Sequence, residues 1–229
     1  MIEFVFLDLD DTILDFHMAE ALALTDTLQV LGIEPTEERL ALYSRINAAQ
    51  WRRLEAGELT RPDVLTTRFD LFFDEIGVQR SSLDAQRAYE ARLSKGHYFI
   101  DGALEMLEAL SGDYALYLVS NGNLRVQEGR LKSAQIARFF HAVFISEQIG
   151  ADKPNPLFFD RCFAQIPGFR RERAIIVGDS LTSDIRGGIN AGIRTCWFNP
   201  HGKTADPEIP ADYEIRSLKE LKPLLRSID

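Results

Sequence analysis

The segment Phe4-Val5-Phe6-Leu7-Asp8-Leu9-Asp10-Asp11-Thr12 decides how this chain is read. An apolar run of the kind that forms a buried strand stops abruptly at three carboxylates and a hydroxyl. Unpaired buried charge is costly, so the cluster needs a cation or a chemical role. The segment alone leaves two readings open: an acidic turn closing a strand, and a metal-assisted phosphoryl-transfer site. Side chains alternate along a strand, so Asp8 and Asp10 would share a face if the strand ran on. Asp11-Thr12 are turn formers, which places the strand end near Asp8. The chain then curls, leaving the Asp8 carboxylate and the Asp10 backbone carbonyl free to meet one ion. A hard cation such as Mg2+ accepts both kinds of oxygen.

Downstream of Thr12 the apolar period changes from that of a strand to that of helices. Ala21, Leu24, Leu28 and Leu31 define one helical face, with Gly32 as its stop. A second helix starts after Pro35-Thr36, with Glu37 and Glu38 in its first turn, and runs to about Glu55. A third carries Leu65, Phe69, Phe72 and Ile76 and closes at Gly77. A fourth runs from Ser81-Ser82 to about Lys95. Beyond it, helices and strands alternate. Helices are expected at 102–110, 124–140, 156–165 and 183–191, and strands at 114–119, 142–146, 174–177 and 195–198. Residues 201–210 read as a polar surface loop. Near-continuous apolar strands alternating with helices imply a parallel sheet covered on both faces. The expected architecture is α/β: a Rossmann-like parallel-sheet core from 1–15 and 96–229, with an inserted helical cap from 16–95.

Composition limits the function classes. The chain has 229 residues, 45% of them hydrophobic, which is ample for a full core. Its net charge of −9 argues against a nucleic-acid polymer or a membrane surface as partner. Two cysteines, Cys162 and Cys196, are too few for a disulfide framework, which suggests reduced thiols and a cytoplasmic enzyme. No basic-then-apolar leader opens the chain, and no apolar run is long enough to span a bilayer.

Four segments stand at the carboxyl ends of expected strands: 8–12, Ser120-Asn121-Gly122, Lys153 in its loop, and 178–184. In open parallel sheets the ligand crevice lies at this edge. Asp8 and Asp179 can hold a divalent cation. Ser120 and the amides around Asn121 and Gly122 can bond phosphate oxygens, and Lys153 can offset the charge gathered there. With DxDxT at 8–12, a strand-end Ser120, Lys153-Pro154 and GDSLTSD at 178–184, the chain resembles haloacid dehalogenase (HAD) superfamily hydrolases. The resemblance covers essentially the whole chain.

The resemblance implies roles residue by residue. Asp8 would be the nucleophile, forming an aspartyl-phosphate. Asp10 would be the acid that protonates the leaving oxygen and later the base that activates water. Mg2+ would be held by Asp8, the Asp10 carbonyl and Asp179, with Asp184 bonding metal waters or Lys153. Ser120 and Lys153 would hold the transferring phosphoryl group, and Thr12 would fix the turn of the first motif. Family members that cut carbon–halogen bonds lack the acid at the second motif position and need no metal. Asp10, Thr12 and Asp179 therefore favour a phosphatase. The GDSLTSDI form at 178–185, the SNG at 120–122 and the cap layout are similar to the bacterial pyrimidine 5′-nucleotidase subgroup. The expected partner is a small phosphorylated metabolite, a nucleoside 5′-monophosphate foremost, and the expected assembly a monomer or homodimer. Phosphoglycolate or sugar-phosphate hydrolysis, phosphosugar mutase activity and non-catalytic phosphate binding remain as alternatives.

Other residues read more plainly. Asn121 and Thr12 join Ser120 as candidate substrate contacts. His17 follows the first motif, where it would enter the cap, and either faces substrate or lies at a hinge. Asn47 and Arg53 are candidate leaving-group contacts. Trp51, Phe69, Phe72 and Phe73 are expected in the cap core. Asp11 is expected in the turn, Gly187-Gly188 at a close helix–sheet contact, and Cys196 as an apolar strand residue.

Overall fold

In the computed structural model, which describes residues 1–228, strand β1 spans Phe4–Asp8 and every one of its residues is buried. Asp11 then takes a left-handed conformation with φ 56°, which aspartate tolerates in turns. The chain divides into two units: Met1–Asp15 together with everything from His97 onward, and Phe16–Gly96.

Phe16–Gly96 contains four helices, α1 (Phe16–Val30), α2 (Glu37–Glu55), α3 (Arg61–Glu75) and α4 (Ser82–Leu93). Side-chain caps start three of them. Thr36 accepts from the Arg39 amide, Thr60 and Asp63 form a reciprocal capping box, and Ser81 accepts from the Asp84 amide. Tyr43, Phe69, Phe72, Phe73 and Tyr89 are buried, with the Tyr43 and Phe69 rings 4.9 Å apart.

Two helical faces differ from the expected ones. On α1, Ala19, Glu20, Ala23, Leu24, Thr27 and Leu28 are buried, while Ala21 and Leu31 are half-buried. The buried stripe includes polar residues, which an apolar pattern does not reveal. Thr27 is satisfied locally by donating to the Ala23 carbonyl at 2.7 Å. On α3, Val64 and Arg68 take the places expected for Leu65 and Ile76. Trp51 is half-buried rather than in the core. Its indole donates to Asn47 and the Arg61 guanidinium stands 5.6 Å over its ring.

The other unit continues with α5 (Ala103–Leu110), β2 (Ala115–Ser120), α6 (Leu124–Ala134), β3 (Ala142–Ile145), α7 (Ser146–Ile149), α8 (Pro156–Phe163), β4 (Ala174–Gly178), α9 (Arg186–Ala191), β5 (Arg194–Phe198), β6 (Tyr213–Ile215) and α10 (Leu221–Ser227). The six strands form one parallel sheet in the order β3-β2-β1-β4-β5-β6, a Rossmann-like α/β fold. Alternation along β1 sends Val5 and Leu7 to one face, where they meet Met106, Leu107, Leu131 and Leu221. Phe4 and Phe6 go to the other face, against Phe158, Phe159 and Phe163. Gly187 and Gly188 of α9 lie against Phe159, Ile176 and Thr195. Cys162 and Cys196 are both buried and free.

Helix α6 stops at Ala134, short of the expected Phe140, because Gln135 adopts a left-handed cap with φ 57°. The segment expected as one helix over 183–191 begins as a π-helical turn, Leu181–Ile185, and becomes α-helical at Arg186. Ser146 opens the short α7 rather than ending β3. No helix among the described residues is long and apolar enough to cross a membrane.

The sheet order sets the site. Strands run outward to β2 and β3 on one side of β1, and to β4, β5 and β6 on the other. The β1/β4 boundary is thus the topological switch point, where the crevice of such sheets opens. Register aligns Asp8 with Val119 and Leu7 with Val177, which brings Asp8, Ser120 and Gly178 to one edge.

Candidate active site

Asp8 is the last residue of β1, and Lys153 reaches it from the loop ahead of α8. The Lys153 ammonium donates to Asp8 Oδ1 at 2.6 Å, to Asp184 Oδ1 at 2.7 Å and to the Val119 carbonyl at 3.0 Å. Its side chain and that of Asp184 are each 1% exposed. The loop holding Lys153 is fastened by Asn121. That side chain donates to the Lys153 carbonyl and accepts from the Lys153 amide, both at 2.8 Å. The side chain expected to touch substrate therefore grips the backbone that carries the lysine.

The last motif is shaped by close approach. A Cβ on Gly178 would run into the Asp184 side chain, so only glycine lets that carboxylate fold back over the end of β4. Asp184 Oδ2 then accepts from the Ser180 amide at 3.1 Å. Asp179 is tied on two sides. Its amide donates to Thr12 Oγ1 at 3.1 Å, and its carbonyl accepts from Trp197 Nε1 at 2.9 Å. Thr12 is fully buried and links the first motif to the last, which accounts for the hydroxyl at that position.

Asp8, Asp179 and Asp184 each offer a carboxylate oxygen within 4.8 Å of the others. Lys153 bonds two of them, and the third, Asp179, stands 4.0 Å from the exposed ammonium of Lys203, so three carboxylates share one buried cation and one solvent-screened one. Burial pushes the Asp8 carboxyl well above the usual carboxylate range, and Asp184 adds to this against the pull of Lys153. Burial, then Asp184 and Asp11, push Asp179 up to about 8. Lys153 moves the other way. Burial disfavours its charge, but Asp184 and Asp8 outweigh that and raise its pKa. The oxygen-only donor set, short of positive charge, fits a hard divalent cation. Such an ion would stabilise the carboxylates in their ionised form.

Asp10 points to a different group of partners. Its Oδ1 is ion-paired with Arg130 Nη1, and its Oδ2 accepts from Gln127 Nε2 at 2.6 Å. Gln127 Nε2 also lies 2.8 Å from Ser120 Oγ, which accepts the Gly122 amide at 3.1 Å as well. Sequence pattern alone does not mark Gln127, Arg130 or Trp197. For the first two the signal is their position on the helix directly after Ser120-Asn121-Gly122. His17 is the second residue of α1, in the other unit, with its ring beside Phe16. Asn47 lies within that unit too, bonded to Glu20, Trp51 and Arg68. Arg53 pairs with Glu58 on its surface.

The model of the haloacid dehalogenase-like hydrolase family matches residues 5–198. The chain belongs to this family. Among its relatives is the HAD-hydrolase YfnB of Bacillus subtilis. A magnesium-bound crystal structure of that protein, described as revealing interdomain movement, is 41% identical with a TM-score of 0.94, covering 98% of each chain. The pyrimidine 5′-nucleotidase PynA of Streptococcus pneumoniae is 36% identical over 96% of this chain and 93% of its own length. A 2-haloacid dehalogenase from Pseudomonas syringae is more distant, at 28% identity and a TM-score of 0.67 over the full length of both chains. This HAD-family hydrolase thus has relatives named for phosphate-ester chemistry and for carbon–halogen chemistry.

Proposed function

We propose that this HAD-family hydrolase is a Mg2+-dependent phosphatase that cleaves small phosphate monoesters through an aspartyl-phosphate on Asp8. The observation that carries the reading is the crowding of Asp8, Asp179 and Asp184 within 4.8 Å of one another at the sheet edge, with Lys153 the one buried cation bonded to two of them. The carboxylates of Asp8 and Asp179 and the Asp10 carbonyl would hold Mg2+, with Asp184 beside them on Lys153. The ion would supply positive charge against the nucleophile and the phosphoryl oxygens.

The residues of the chain divide the chemistry. Asp8 attacks phosphorus as the bond to the leaving oxygen breaks, and Asp10 gives that oxygen its proton. Asp10 then takes a proton from water, which attacks the same phosphorus and frees Asp8 with inorganic phosphate. Ser120 bonds a phosphoryl oxygen through its hydroxyl hydrogen during both steps, and Lys153, whose three N–H groups are taken by Asp8, Asp184 and the Val119 carbonyl, offsets the charge from beside it. A dehalogenase needs no acid at position 10, so the built surroundings of Asp10 favour the phosphatase.

A nucleoside 5′-monophosphate is the favoured substrate, supported by the near full-length similarity to PynA. The assignment of Phe16–Gly96 as a cap that selects the leaving group belongs to the same proposal. The test is phosphate release from nucleoside monophosphates, sugar phosphates and phosphoglycolate, with and without Mg2+. The highest kcat/KM is expected on pyrimidine nucleoside 5′-monophosphates, with no release in excess chelator. Preference for a sugar phosphate would overturn the substrate class. An isomerised ester without free phosphate, or halide release from a 2-haloacid with inert phosphate esters, would overturn the phosphatase itself.

A further inference from the structure

Helix α6 carries two polar side chains that are buried almost completely, Gln127 at 2% and Arg130 at 1% exposure. Three positions apart, they share one face of the helix. Asn123 caps that helix by accepting the Val126 amide at 3.2 Å, which fixes where the face begins. Arg130 Nη1 donates to Gln127 Oε1 at 3.1 Å, so the guanidinium orients the amide. The amide nitrogen then points at Asp10 Oδ2 and Ser120 Oγ, while the guanidinium takes Asp10 Oδ1. Gly122 makes room for this, because a Cβ there would collide with the Gln127 side chain.

The burial is informative. Desolvating a guanidinium costs several kcal/mol, and an apolar residue of similar size would fill the space without that cost. The charge meets a carboxylate whose own side chain is 29% exposed, at the edge of the sheet where the chemistry is proposed. Both carboxylate oxygens are held, so the Asp10 side chain has a set direction relative to Ser120. An acid that must reach a leaving oxygen within hydrogen-bond distance benefits from such a fixed direction.

We propose that Gln127 and Arg130 are positioning residues for the acid/base carboxylate of Asp10, and that Gln127 couples its position to the phosphoryl-binding Ser120. The proposal rests on the phosphatase reading given above. Proton donation matters for a poor leaving group and hardly at all for a nitrophenolate. The experiment compares Arg130→Met and Gln127→Met with the natural enzyme in Mg2+, under single-turnover conditions, on p-nitrophenyl phosphate and on an alkyl phosphate. The variants should slow alkyl ester cleavage about 100-fold and p-nitrophenolate release by less than about tenfold. Arg130→Lys should recover part of the alkyl rate. Mg2+ binding measured by calorimetry should be unchanged, because Asp8 and Asp179 are untouched. An equal fall on both esters, an unchanged alkyl rate, or a loss of Mg2+ affinity that tracks the loss of rate would each overturn the proposal. If Arg130→Met fails to fold, Gln127→Met carries the same comparison. A natural enzyme inert on both esters would instead defeat the phosphatase reading, so the two failures are distinct.

Discussion

Each unit of this protein contains a buried polar network, and the two are built on opposite principles. At the sheet edge, Asp8 and Asp184 bond Lys153 and Asp179 crowds against both, with the exposed Lys203 4.0 Å from it. In the helical unit, Glu20 accepts from Asn47 at 2.7 Å, Asn47 accepts from Arg68 at 2.9 Å, and Arg68 forks onto Gln86 at 3.1 and 2.9 Å. Gln86 in turn donates to Glu90 at 2.6 Å, so two carboxylates stand at the ends of the network, each meeting an amide and kept apart by the Arg68 guanidinium. The first network crowds its carboxylates within 4.8 Å of one another and the second separates them. A buried network whose charges are separated and bonded is complete as it stands and serves the fold, whereas one that crowds like charges is completed by something that binds.

The comparison breaks most visibly at Asp8. Asp8→Asn should lower phosphate release by at least about 10³-fold, since nothing replaces the proposed nucleophile. In the metal-free protein the same change should leave thermal stability equal or higher, because it neutralises one of the crowded carboxylates. A large fall in the metal-free melting temperature would mean that the crowded carboxylates do not repel one another. Mg2+ is the second probe. It should raise the melting temperature as its concentration rises, by about 2.7 kcal/mol of stability at 100 times its dissociation constant. Excess chelator should reverse the effect, and indifference to Mg2+ would remove the central argument.

The third probe acts on the helical network. Arg68→Met strips Asn47 and Gln86 of their donor and removes one of the positive influences on Glu20. The cost should be about 3 kcal/mol in urea unfolding, since two buried amide acceptors lose a charged donor. A cost below about 1 kcal/mol would show that the guanidinium is dispensable to the fold.

The unequal legibility of the two networks in the sequence has the same physical origin. Asp8, Ser120 and Asp179 each follow an apolar run, and a strand end announces itself by the change from apolar to polar. Lys153 stands before Pro154 in the loop between α7 and α8, again at a break in pattern. Gln127 and Arg130 lie inside a helix, where polar residues ordinarily mark the solvent face. Glu20 and Arg68 were hidden for the same reason, because such residues are almost never fully buried unless paired. Gln135 ended α6 in a conformation usually taken by glycine, so the expected helix ran on. The three-residue β6 was too short to carry a period.

The smallest effect is expected at Glu20, and it tests the balance most finely. Burial raises the Glu20 carboxyl above its ordinary value, although Ser44, Asn47, His17 and Arg68 pull it down. The folded state therefore holds this proton more tightly than the unfolded chain does. At a pH below the ordinary glutamate value the group is protonated in both states and imposes no penalty. As pH rises through the interval between the ordinary value and the raised one, the unfolded chain ionises first and stability declines. Above that interval the loss is complete and constant. Glu20→Gln keeps an acceptor for Asn47 and removes the titration. Its stability relative to the natural protein should grow across that interval and level off, staying within about 1 kcal/mol at pH 7. The measurement is urea unfolding at a series of pH values. A relative stability that instead falls as pH rises would mean that Arg68 and Asn47 overcompensate the buried charge. The helical network would then carry a surplus of positive influence, the reverse of the deficit around Lys153.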